Sequence, residues 1–268
     1  MNSIVRDYLA YALANTSRLA KQLNRESLTP VVAMWQENSY LVVATCDGYR
    51  QHEFRLLMFH DDGKSPALLY ERVLAFSPVA IAAVARALDE QLGENDLLYI
   101  NYDDDQTTVS LTAPSITINL KATESQHKDH IRRFAATFTT TERPDAIKIN
   151  AKELLTALPK PRRNNERMYM LVHFLGNTWQ AGMQPELKNW QPTEHNGVFD
   201  TQDVQGTPDC KLNVQMLREA LEVAERYHPF AECTIALTKR NEAVLVQASV
   251  GKVLDFRAYI MPIVKIQR

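Results

Sequence analysis

Ile149-Asn150-Ala151-Lys152-Glu153-Leu154-Leu155-Thr156-Ala157-Leu158 is written a second time as Leu212-Asn213-Val214-Gln215-Met216-Leu217-Arg218-Glu219-Ala220-Leu221. In both copies an apolar residue precedes Asn, and Leu follows that Asn at four and eight positions, with Ala just before the second Leu. Asn is a favoured helix N-cap, and Leu at that spacing marks one buried face of a short helix. Each copy therefore predicts a strand running into a capped amphipathic helix. An internal repeat of this kind constrains architecture more than any single residue does.

Working outward, two more helical patterns fit the same plan. Val5, Leu9, Leu13, Thr16, Ala20 and Leu23 fall on one side of a helix, with Arg18, Lys21 and Arg25 opposite. Ser77-Pro78 supplies an N-cap and a proline at the first helical position, followed by a stripe of Ile81, Val84 and Leu88. Helix-plus-strands rounds thus start near residues 4, 77, 150 and 213. Between them lie short alternating segments such as Tyr40 to Thr45, Leu97 to Tyr102 and Ile116 to Leu120, separated by Asn, Asp, Gly and Pro turns, as in antiparallel sheets. From Ala122 to Asp145 the chain turns polar, with Gln126 to His130 and Thr139 to Pro144 flanking a more apolar centre, and a loop rich in Pro, Asn and Gly is expected over Gln184 to Pro208. The fold class is α+β, with two tandem domains, 1–125 and 146–268, each a doubled helix-plus-antiparallel-strands unit. Residues 126–145 are read as the connector between them.

A chain of 268 residues can bury two cores of ordinary size. Only 8 Gly argues against Gly-rich phosphate loops, and a net charge of −2 means that any grip on nucleic acid comes from local placement of Lys and Arg. Cys46, Cys210 and Cys233 show no CxxC spacing, which predicts a reducing, cytoplasmic setting. Neither an export signal nor a membrane span is indicated. His52 and His60, and His127 and His130, have no third ligand in an ordered frame, and Asp103-Asp104-Asp105 lacks the spacing of a calcium loop. No GxSxG, P-loop, HExxH or dinucleotide fingerprint is present, so a metal-dependent nuclease or hydrolase is the weakest of three functional readings. No cofactor, metal site or catalytic residue is expected.

Two stretches carry a resemblance. Leu41-Val42-Val43-Ala44-Thr45-Cys46-Asp47-Gly48-Tyr49-Arg50 resembles the V-A-T-D-G-H-R stretch in the middle domain of bacterial DNA sliding clamps, with Cys46 inserted and Tyr49 in place of His. Ala258-Tyr259-Ile260-Met261-Pro262-Ile263-Val264 is similar to the A-Y-V-V-M-P-M ending of the same family. The resemblance covers essentially the whole chain and implies the clamp fold, helices inside and sheets outside, with domains matching the middle and last domains of a bacterial clamp. It also implies a partner-peptide pocket formed by Thr45, Asp47, Gly48, Tyr49, Arg50, Tyr259, Ile260, Met261, Pro262, Ile263 and Val264. Six domains close the family's ring, so a two-domain chain would assemble as a homotrimer around double-stranded DNA. It would tether a DNA polymerase and meet a clamp loader through short peptides.

Encircling DNA requires a loose positive lining that follows the phosphates without reading bases. The residues available for it are Arg18, Lys21, Arg25, Arg86, Lys152, Lys160, Arg162, Arg163, Arg218 and Arg226. Lys160, Arg162 and Arg163, held by Pro159 and Pro161, form the tightest group. Arg218 and Arg226 alternate with Glu219, Glu222 and Glu225 as on a salt-bridged surface. That unevenness favours, as the second reading, a clamp-fold adaptor that binds replication-protein peptides without closing a ring.

Overall fold

In the computed structural model residues 2–22, 30–60, 72–103, 107–125, 128–138, 146–163, 170–175, 178–183, 195–198, 209–227, 232–236 and 243–263 are described. The chain divides into two units, Met1–Thr137 with Gly251–Phe256 and Phe138–Val250 with Arg257–Arg268.

The first unit contains β1 (Asn2–Val5), α1 (Arg6–Gln22), β2 (Val32–Glu37), β3 (Tyr40–Cys46), β4 (Arg50–Leu57), β5 (Phe59–His60), β6 (Leu74–Phe76), α2 (Pro78–Gln91), β7 (Leu97–Tyr102), β8 (Thr108–Ala113), β9 (Ile116–Lys121) and α3 (Lys128–Phe138). One sheet has the order β5-β1-β7-β8-β9 and another places β4, β3, β2 and β6 side by side. The described pairings β1–β5, β1–β7, β7–β8, β8–β9, β2–β3, β2–β6 and β3–β4 are all antiparallel. Helices α1 and α2 pack on each other. Leu9, Leu13, Thr16 and Ala20 of α1 and Ile81, Val84 and Leu88 of α2 are buried, as the spacing predicts. Ser77 accepts from the Val79 N–H at 3.3 Å and Pro78 opens α2.

The second unit contains β10 (Ala146–Ile149), α4 (Ala151–Ala157), β11 (Met170–Leu175), β12 (Thr178–Met183), β13 (His195–Val198), β14 (Asp209–Asn213), α5 (Val214–Tyr227), β15 (Glu232–Ala236), β16 (Val244–Val250) and β17 (Leu254–Ile260), whose first three residues group with the first unit. One sheet runs β13-β12-β11-β14, and β10, β15 and β16 are neighbours in another. Both repeated segments form as read. Asn150 caps α4 by accepting from the Glu153 N–H at 3.2 Å while its amide donates to the Glu153 carboxylate at 2.9 Å. Asn213 accepts from the Met216 N–H at 3.2 Å. Leu154, Leu158, Leu217 and Leu221 are buried. Pro159 and Pro161, which lack the N–H a further turn needs, follow the end of α4.

Both units use an arginine to close a helix end. Arg6, buried at the start of α1, donates to the carbonyls of Gly93 and Leu92 past α2, each at 3.0 Å, and to Asp89 at 3.0 Å. Arg218 on α5 donates to the carbonyls of Leu155 and Leu158 at the end of α4, at 2.7 and 2.9 Å. Orphan carbonyls at a helix C-terminus and the negative end of its dipole attract a cation there.

Three sequence expectations need correction. Residues 126–145 are not simply a polar crossing, because Lys128–Phe138 is helical and Ile131 packs into a cluster with Val31, Ala33, Trp35, Val42, Ala44, Val73 and Ala75. Ile131, Phe134, Ala135 and Phe138 fall at the i, i+3, i+4, i+7 spacing of an amphipathic helix, a short signal set between polar flanks. The loop expected over Gln184 to Pro208 contains β13, too short and too polar to alternate visibly. The last strand, which alternation places at Arg257 to Ile263, runs instead over Leu254–Ile260, since Pro262 has no N–H to give a ladder.

Candidate functional site

The turn joining β3 to β4 is built around Asp47. Its carboxylate accepts from the N–H groups of Tyr49 and Arg50, both at 2.8 Å, and lies 3.3 Å from the Arg50 guanidinium. Gly48 has φ +84, a left-handed conformation that suits a residue without Cβ, and its N–H donates to the Cys46 sulfur at 3.3 Å. Burial pushes the Cys46 thiol up to about 12, against the lowering effect of that Gly48 N–H, with Asp47 adding to the rise. The thiolate needed for reactivity is thereby disfavoured.

Thr45 is buried and donates to the Val31 carbonyl at 2.9 Å, and Asp47 and Arg50 are buried too. These three hold the turn in shape. Tyr49, 52% exposed, is the side chain the turn offers outward. At the other motif Tyr259 and Ile260 are core residues, Met261 is half-buried and Pro262 buried. Ile263 is 42% exposed, and its N–H donates to the Lys211 carbonyl at 2.8 Å, which anchors the segment beyond β17. Val264 lies outside the described residues. Of the eleven residues expected to form a peptide pocket, Tyr49, Met261 and Ile263 are thus the apolar or aromatic side chains a partner can reach.

Next to the turn, β4 buries charge on both faces. Residues paired across β3 and β4 point to the same side, which groups Thr45 with His52 and Val43 with Phe54. Phe54 meets Tyr11 of α1 edge-on at 5.9 Å, so this is the helix-facing side. His52 lies there against Phe256 at 5.4 Å. Burial, then the positive charges of Arg50 and Arg18, holds the His52 imidazole well below its ordinary range and neutral. On the other side Arg55 reaches Glu37 at 3.1 Å and Glu53 at 3.4 Å, and Gln51 donates to Glu53 at 3.2 Å. Sequence reading missed this network; its one signal was the polar run Arg50-Gln51-His52-Glu53 inside an apolar hairpin.

Lys21, Arg86, Lys152, Lys160, Arg162, Arg163 and Arg226 are exposed, each in its own unit. After α4 the pattern is regular: Pro159 and Pro161 are buried, so Lys160, Arg162 and Arg163 project outward. Arg18 is half-buried and donates to Asn15 at 3.4 Å, while Arg25 falls outside the described residues. Arg218 is the correction within this set. Its guanidinium is committed to the carbonyls at the end of α4, where it neutralises a helix end in place of a phosphate.

The second unit also has an open groove of about 400 Å³, with Ile149, Leu154 and Trp179 along its floor and Lys148, Glu153 and Asn196 around its mouth. Among the described residues no group of three or more His, Cys, Asp or Glu side chains converges as metal ligands do, and no helix is long and apolar enough to cross a membrane.

Two units, each a pair of packed helices with antiparallel sheets, define a protein of the sliding-clamp fold. The DNA polymerase sliding clamp of Pseudomonas aeruginosa is similar over 98% of this chain and 66% of its own, at 16% identity and a TM-score of 0.69. That of Bacillus subtilis is similar over 98% and 64%, at 14% identity and 0.68. The chain therefore spans just under two thirds of these bacterial clamps. A. fulgidus PCNA, bound to the C-terminal region of FEN-1, is similar over 99% of both chains at 12% identity and a TM-score of 0.59. No protein-family model matches the sequence, and no curated protein matches it.

Proposed function

We propose that this protein is a non-enzymatic sliding clamp or clamp-like replication accessory factor. Three copies encircle double-stranded DNA and tether a polymerase or another DNA enzyme through a short apolar peptide. The end-to-end likeness to A. fulgidus PCNA, 99% of each chain, carries this reading. That protein holds the C-terminal region of FEN-1, which supports a peptide tail as the kind of partner. Ring formation needs complementary edges. Among the described residues β9 in the first unit and β13 in the second each end a sheet with one side unpaired, and pairing β9 of one copy with β13 of the next would make a head-to-tail contact that can close.

On the second unit the partner peptide would bury its apolar side chains on Met261 and Ile263, and on the first unit Tyr49 is the aromatic residue its motif exposes. DNA would meet Lys21, Arg86, Lys152, Lys160, Arg162, Arg163 and Arg226. Solution mass tests the ring: a species near three times 30.6 kDa is expected, and a strict monomer at micromolar concentration sinks the trimer. The commitment of Arg218 to helix carbonyls favours the second reading, an adaptor that binds replication-protein peptides without encircling DNA, since it removes a cation from the proposed lining. A monomer that still binds a polymerase-tail peptide would decide for the adaptor.

A further inference from the structure

The open groove of the second unit lies where β13 ends its sheet. Ile149 of β10, Leu154 of α4 and Trp179 of β12 form its floor, and β13 forms its rim. At the rim Gly197 stands opposite Trp179, and a Cβ on it would lie 2.6 Å from the indole nitrogen, so the ring lies against bare backbone there. A glycine at a strand edge marks a place where another chain can approach closely. Because Gly197 shares a side with Trp179, and α4 packs on β13, this notch is on the helix-facing side of the sheet. Val198 points to the other side and is 68% exposed.

The first unit ends its five-stranded sheet with the opposite relief. Among the described residues β9 pairs with β8 alone. Ile116, Ile118 and Leu120 alternate toward its helix-facing side, since Ile118 stands opposite Leu111 and Leu111 opposite Ile100, both buried, and α2 packs on β9. Leu120 is buried, whereas Ile116 and Ile118 are only half-buried. Their partners one strand further in, Ala113 and Leu111, are covered, so the exposure of the two isoleucines comes from the missing neighbour at the edge.

We propose that the groove is the receptor for Ile118 of a second copy of this chain: β9 of one copy runs antiparallel to β13 of the next, and Ile118 passes beside Gly197 onto Trp179 and Leu154. Two constraints set the register. Every described pairing in both sheets is antiparallel, and a continuous sheet keeps helix-facing residues on one side, so Gly197 meets Ile116, Ile118 or Leu120. Ile118 alone centres the four residues of β13 on the six of β9, which sets Thr117 opposite Val198 and Asn119 opposite Asn196. This inference rests on the ring reading and adds to it the site by which one copy selects the next, a notch without a side chain filled by a branched one.

The test uses the full chain in two measurements. In sedimentation velocity, Ile118→Ala should raise the concentration at half-assembly about tenfold or more. In oxidative cross-linking, a Thr117→Cys chain mixed with a Val198→Cys chain should give a covalent dimer, and an Asn119→Cys chain mixed with the same partner should not. Directly opposite residues of antiparallel strands have Cα atoms about 4.5–5.5 Å apart, within disulfide reach, whereas those two positions out of register lie beyond about 7 Å. Assembly unchanged by Ile118→Ala, or an assembled chain that cross-links at Asn119→Cys as readily as at Thr117→Cys or at neither, overturns the proposal and leaves the ring standing. An unaltered chain that stays monomeric overturns the ring reading and this inference with it. Should Ile118→Ala fail to fold, the cross-linking pairs decide alone.

Discussion

Replacing Arg218 by Met separates two roles that sequence pattern had merged. One guanidinium nitrogen donates to the Leu155 and Leu158 carbonyls at 2.7 and 2.9 Å. Hydrogen bonds from a charged donor contribute about 1.5–3 kcal/mol each. Both bonds come from the same nitrogen, and the half-buried site lets water reach part of what is vacated, so the pair is expected near the cost of one such bond. The lost cation at the α4 C-terminus adds about 0.3–1 kcal/mol. Met keeps the apolar stem, so packing losses stay small. Arg218→Met should therefore lower unfolding free energy by about 2–4 kcal/mol in urea titrations followed by circular dichroism. In DNA-binding titrations at several salt concentrations the same variant should leave the salt slope unchanged, whereas Arg162→Ala should reduce it by about one. A variant of full stability with a shallower slope would show that Arg218 faces phosphate and that the helix-end account is mistaken.

Arg6→Met should destabilise by about 2–4 kcal/mol, because the Leu92 carbonyl is buried and loses its donor. Asp89→Asn, which removes the charge of an exposed carboxylate and leaves the buried Arg6 its carbonyl partners, should cost under about 1 kcal/mol. Equal costs in denaturant titration would place the effect in the ion pair. For His52 the folded pKa is lowered, so the unfolded chain binds the extra proton: its contribution to stability is complete above about pH 6.5 and falls as pH drops below that value. The stability advantage of the unaltered chain over His52→Gln should shrink by up to about 1.4 kcal/mol per pH unit between pH 6.5 and 5; a constant difference would contradict the buried neutral imidazole. A Cβ at Gly197 would lie 2.6 Å from the Trp179 indole nitrogen. Gly197→Ala should then cost about 1–3 kcal/mol and shift tryptophan fluorescence, and unchanged stability and spectrum would mean the indole has room to move.

The features legible in sequence were local. Ser77-Pro78, Asn150 and Asn213 announce helix starts because the capping atoms and the N–H groups they satisfy are two or three residues apart. Ile81, Val84 and Leu88 announce a buried face because a helix repeats every 3.6 residues. The Asp47–Arg50 turn was legible for the same reason, since Asp47 binds its own near neighbours. Helix α3 carries the same kind of signal in Ile131, Phe134, Ala135 and Phe138, but over barely two turns and between polar flanks that obscure it.

The sequence by itself therefore determined the doubled architecture: four helix-plus-strands rounds, written in caps and periodicities whose partners lie within one turn of each other. Tertiary structure alone decided which charges are free. Arg218 and Lys160 look alike in sequence, yet one neutralises a helix end contributed by a distant segment and the other projects from between two buried prolines. The same holds at the pocket motifs, where Tyr259 lies in the core and Ile263 stands outside it. Burial and charge pairing depend on residues far apart in the chain, and no local spacing records which of them will meet.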